Sequence, residues 1–183
     1  MTPAGNARCE VIDWFERVVL GLQLCPFAER PWREGAIRFA VSEATQELAV
    51  LTDLKAEMQR LDRSPEIETT LLILASCLSG FEAYNDFLDE VDALIVGGGW
   101  EGVYQIASFH PHYRFADSTG EGDAADWTNR SPWPLLHLLR EESLERAIST
   151  HPDPASIPRR NVRLLRGLDA GRMRALFGPR YPG

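Results

Sequence analysis

An α/β fold is predicted from three features of the chain. Segments with a helical repeat alternate with short β-prone runs, the connections between them are brief, and one of the runs is apolar at almost every position. Strands joined through helices by short connections imply right-handed crossovers. The expectation is a small, mainly parallel sheet of three or four strands with packed helices and a helical C-terminal third. The first helix is expected from Cys9 to Leu24, where Ile12, Phe15, Val19 and Leu22 recur at three-to-four-residue spacing before Pro26 stops it. Ile37 to Val41 reads as a strand, and Glu43 to Leu61 as a helix with Leu48, Leu51, Leu54, Met58 and Leu61 in one stripe. Thr69 to Ala75 starts with β-branched residues and continues apolar, as a strand covered on both faces does. Ser79 and Glu82 have the spacing of a capping box for a helix that carries Phe87, Leu88, Val91 and Leu94 and stops at Gly97-Gly98-Gly99. This glycine triplet follows a helix and precedes the strand Val103 to Phe109, the reverse of the order that a phosphate-cradling loop requires. One helix is predicted from Pro132 to Ser149. A break at His151-Pro-Asp-Pro follows, then one or two short helices to Phe177, with Pro179 to Gly183 as a loose tail.

The chain has 183 residues, 44% of them hydrophobic, a size that forms one domain with a substantial core, here expected over about residues 9–178. Its net charge of −8 argues against nucleic acid, because phosphate-backbone binding needs a basic face. Lys55 is the sole lysine among 19 basic residues, and arginine suits two-point recognition of carboxylate or phosphate. Cys9, Cys25 and Cys77 are an odd and widely spaced set, which fits neither a disulfide framework nor a closed zinc site. With no secretory pattern at the start and no apolar run of membrane-spanning length, a cytoplasmic location and no membrane partner are expected.

Polar residues suited to chemistry concentrate between Ala107 and His137, which holds three of the four histidines. His110 stands at the end of a predicted strand, where ligands of open α/β sheets gather. In His110-Pro111-His112 the proline favours an extended backbone, which would send both imidazoles to one side. With Asp117, or with Glu121, Asp123 or Asp126 nearby, they have the make-up of a two-histidine, one-carboxylate site for a divalent metal. Ser131 and Pro132 have the pattern of a helix cap and a first helical residue, so free N–H groups beside the Arg130 guanidinium would seat an anion. Asn129, Arg114 and Tyr113 join them as candidate ligand contacts.

On a helix through Leu135 to Ile148, Glu142 and Arg146 share the face of Leu135, Leu138 and Leu139. Three readings follow: a helix end reaching solvent, a buried ion pair, or a Glu142 of raised pKa facing a cavity. On that helix His137 and Glu141 share another face, where the carboxylate would orient the imidazole. Cys25-Pro-Phe-Ala28 is a thiol candidate: capping a helix at the proline would lower its pKa, whereas ending the first helix would raise it. Glutaredoxin-like sites also contain Cys-Pro-Phe, but Ala28 stands here in place of their second cysteine.

The chain resembles, nearly end to end, the bacterial family catalogued as domain of unknown function 1415. The resemblance rests on Leu24-Cys-Pro-Phe-Ala28, on Gln105-Ile-Ala-Ser-Phe-His-Pro111 with Tyr113 and Phe115, and on Thr128-Asn-Arg-Ser-Pro132 with Leu136-His-Leu-Leu-Arg-Glu141. It implies no activity, cofactor or catalytic residue. His112 departs from the family pattern, which is often acidic there, and this shifts weight onto His110.

The leading expectation is an enzyme acting on a small anionic molecule. His110 would be the acid, base or metal ligand, Arg130 and the following helix start the anion seat, and Glu142 or His137 the proton-transfer partner. The alternatives are a non-catalytic binding domain, in which Tyr113, Phe115, Trp127 and Trp133 form an aromatic surface, and a thiol redox protein using Cys25.

Overall fold

The computed structural model describes residues 3–118, 120 and 122–178, so Glu121 and the predicted tail from Pro179 lie outside the described residues. A four-stranded sheet organises the chain, in the order β1 (Ile37–Ser42), β2 (Thr69–Leu74), β4 (Leu135–Arg140), β3 (Tyr104–Phe109). β1 and β2 pair in parallel, while β4 lies antiparallel to both β2 and β3. The α/β class and the first three strands match expectation, but the ladder is mostly antiparallel. β4 causes the difference. Its residues, predicted as the start of a long helix, are inserted between two strands that run in the same direction.

Helices cover both faces. On one, α3 (Glu47–Arg63) and α4 (Phe81–Gly97) pack Leu54, Met58, Phe87 and Val91 against Leu72, Leu74, Leu136 and Leu138. The stripe of apolar residues read along α3 is the side buried here, apart from Leu48, which is exposed. An ion pair ties α3 to β1, with Arg38 Nε 2.6 Å and Nη2 3.0 Å from the two Glu57 oxygens. Gly80 occupies the cap position of α4 and no side chain caps it, so the Ser79–Glu82 capping box does not form. On the opposite face, α1 (Pro3–Trp14) runs into a π-helix (Phe15–Leu20). With α6 (Ile157–Arg166) and α7 (Ala170–Phe177) they bury Val11, Phe15, Val18, Leu165 and Phe177 over Phe39, Leu71, Ile73 and Leu135.

Two short elements complete this face. α2 (Glu29–Arg33) follows the Cys25 turn, and α5 (Glu141–Thr150) starts directly where β4 ends. Among the described residues, no helix is long and apolar enough to cross a membrane.

Candidate functional site

His110 leaves β3 and is completely buried. Its Nε2 donates to the Leu78 carbonyl at 3.2 Å, and its Nδ1 accepts the His112 backbone N–H at 3.0 Å. The rings of Phe81 and Tyr84 pack on it at centroid distances of 5.4 and 5.0 Å. Burial lowers its pKa to about 4, so the imidazole is neutral. The backbone at Pro111 turns, with the Tyr113 N–H bonded to the His110 carbonyl at 3.1 Å, so the expected extended pair of histidines is absent. A metal needs a ring nitrogen with a free lone pair, and His110 has none left. His112 and Asp117 are exposed, and no three His, Cys, Asp or Glu side chains gather as a metal site among the described residues.

Arg130 occupies a different place. Its guanidinium lies 4.3 Å over the Trp127 ring, Nε donates to the Tyr113 carbonyl at 3.2 Å, and Nη2 stands 3.8 Å from the buried Asp126 carboxylate. It borders a cleft of about 540 Å³ that also holds Glu10, Asp13 and Arg17. Arg17 pairs with Asp13 at 3.0 Å, and Glu10 accepts the Trp133 indole N–H at 2.9 Å, so carboxylates balance guanidiniums there. No helix begins at Ser131, whose hydroxyl donates to the Trp133 carbonyl at 2.6 Å; the expected helix-terminus anion seat is therefore missing. Asn129 braces the sheet end by donating to the Ser108 carbonyl at 3.1 Å, and Arg114 is exposed. Tyr113 packs between Phe81 and Phe115, while Trp127 sits in the core against Phe177, so the expected aromatic surface is divided. Glu142 and Arg146 form an exposed pair at 2.9 Å on α5, the solvent-facing outcome of the three readings.

The groups that do converge are His137 and Cys25. Because Leu135–Arg140 is a strand, alternate residues Leu135, His137 and Leu139 share one sheet face. His137 lies opposite Leu71 and Ala107, and beside it the sheet is uncovered enough to leave a largely apolar cavity of about 210 Å³. Trp14 and Phe15 at the α1–π-helix junction, Phe27 from the Cys25 turn, and Phe109 of β3 supply aromatic walls; α5 closes the far side with Leu144 and Ala147. The wide π-helical turn brings Val19 onto the same wall.

One hydrogen bond defines the imidazole. Thr69 Oγ1 donates to the Leu138 carbonyl, so toward His137 Nε2, 2.7 Å away, the hydroxyl acts as acceptor. The proton therefore sits on Nε2, and Nδ1 carries a lone pair with no hydrogen-bond partner among the described residues. Burial alone lowers the pKa of His137 to about 4. Cys25 lines the same cavity. Burial raises its pKa, against a smaller opposing effect of the Phe27 and Ala28 backbone N–H groups. Cys25 lies in the turn between the π-helix and α2, so it neither ends the first helix nor caps the next, and burial rather than a helix terminus sets its pKa. Thr69, Trp14 and Phe109 were not expected at the site. The Thr69-Thr70 start of β2 was the only sequence signal available for the first of them.

No curated protein and no solved structure matches the chain. A family profile described as "Protein of unknown function (DUF1415)" matches residues 6–175, nearly the whole of the 183-residue sequence, and the chain therefore belongs to that family.

Proposed function

We propose that this protein binds a small, uncharged, largely apolar molecule in the cavity between His137 and Cys25. The observation that carries this reading is the Nδ1 lone pair of His137, an acceptor without a partner among the described residues, in an apolar surround. His137 lines the cavity, so a ligand with one donor group gains a hydrogen bond there, worth about 0.5–1.5 kcal/mol. An uncharged ligand fits better than the anion expected from the sequence. Glu68 lies on the wall, and the nearest guanidinium, Arg140, is engaged with the carbonyls of Leu61, Ser64 and Ile67. A pKa of about 4 also makes His137 a weak proton sink: taking a proton from a group of pKa ~10 would cost about 8 kcal/mol. Its role toward the cavity is hydrogen-bond acceptor. Screening small neutral compounds by amide chemical-shift mapping tests the reading. Ligands are expected to perturb Ala107, His137 and Leu144 together, and binders that perturb only the Arg130 cleft would overturn it.

Thiol catalysis is a second reading, favoured by the presence of the Cys25 sulfur on the same wall with the Phe27 and Ala28 N–H groups directed to it. It predicts that iodoacetamide alkylates Cys25 faster than the exposed Cys9, whereas the binding reading predicts the opposite order.

A further inference from the structure

We infer that the ligand of the His137 cavity is a single-ring aromatic compound bearing a hydroxyl group, a phenol in chemical class. This rests on the reading that the cavity is a ligand site, and adds what the site selects. Size comes first. A protein cavity of ~150 Å³ lined by apolar side chains accepts benzene. The space here is about 210 Å³, of the order that one ring with a small substituent fills.

Shape and chemistry narrow it further. Trp14, Phe15, Phe27 and Phe109 offer ring faces and edges to the space, and aromatic rings pack on one another in offset or edge-to-face geometry with a gain beyond simple burial. A branched aliphatic chain of the same volume would forgo that gain. The polar requirement is equally specific. His137 presents a neutral lone pair at Nδ1, whose partner must donate a proton, because Thr69 already holds the Nε2–H. A hydroxyl donates to an imidazole lone pair, which a hydrocarbon of the same size does not do. A carboxylate offers no proton and would meet Glu68 on the wall.

The test compares phenol, toluene, benzoate and 2-naphthol on the full chain by isothermal titration, with binding located by amide shifts at Ala107 and Leu144. Phenol is expected to bind roughly tenfold more tightly than toluene, the value of one buried hydrogen bond, and more tightly than benzoate or 2-naphthol. In His137→Leu the preference for phenol over toluene should shrink to near parity while toluene still binds. If that variant does not fold, the ¹⁵N signal of His137 Nδ1 in the wild-type protein serves instead, with phenol shifting it and toluene leaving it in place. Equal affinity for toluene and phenol, tighter binding of benzoate or 2-naphthol, or an unmoved Nδ1 signal would overturn the assignment of a phenol while leaving the cavity a ligand site. Absence of cavity shifts with all four compounds would remove both.

Discussion

Burial lowers the pKa of His110 and of His137 to about 4, so both rings are neutral at pH 7 and each offers one donor and one acceptor. His110 places both inside the protein, on Leu78 and His112, and is thereby a structural residue. The carbonyl it holds belongs to a residue in the left-handed region, Leu78 at φ 58°, which a non-glycine side chain adopts only at a cost. His110→Ala removes both hydrogen bonds, strands two polar backbone groups, and leaves a void beside Phe81 and Tyr84. The expected destabilisation is about 2–4 kcal/mol in urea unfolding. A change under 1 kcal/mol would mean that the ring is not the keystone of this turn. His137, with one nitrogen still open, is distinguished by that lone pair rather than by its depth.

The decisive element is β4. Leu135-Leu136-His137-Leu138-Leu139-Arg140 is built of strong helix formers, and Leu135, Leu138, Leu139 and Glu142 satisfy a helical repeat, so local preference points to a helix. The segment becomes a strand because the slot between β2 and β3 needs a chain that is apolar on both faces, and tertiary packing outweighs a propensity difference of a few tenths of a kcal/mol per residue. A single helix through residues 132–149 would exchange its amide hydrogens as one unit. In this fold the amides of Leu136 to Leu139, paired to strands on both sides, should exchange only through global unfolding, and those of Glu145 to Thr150 on the exposed α5 much faster. Uniform protection from 136 to 149 would contradict the strand. The same substitution of strand for helix explains what was legible in the sequence. The helical stripes of α3 and α4 and the apolar run of β2 carry their own periodicity and could be read directly. His137 could be named as a candidate but not placed, since its neighbours are fixed by a register between segments some 30 and 68 residues away in the chain, which no local pattern encodes. Misplacing β4 also created a helix start at Ser131 and with it an anion seat at Arg130 that the fold does not build.

At the scale of the whole molecule, two neutral histidines, His110 buried and His137 half-buried, make stability depend on pH. Above pH ~6.5 both are uncharged in the folded and the unfolded chain and contribute no slope. Below it the unfolded chain takes up protons that the folded state, with values near 4, refuses until the pH is much lower. Stability is therefore complete above pH ~6.5 and is lost as the pH falls toward 4, by on the order of 2 kcal/mol per histidine between pH 7.5 and 5. Carboxylates of ordinary pKa barely titrate in that interval. Simple relief of self-repulsion in a chain of net charge −8 would act with the opposite sign, raising stability as acid neutralises it. Urea midpoints should thus fall from pH 7.5 to 5 in the wild type, and the fall should be roughly halved in His137→Leu, which keeps His110 as the remaining source. A midpoint that rises or stays level would show that both rings take up protons in the folded chain as readily as in the unfolded one, and with it that the cavity around His137 is wetter and more open than its apolar walls require.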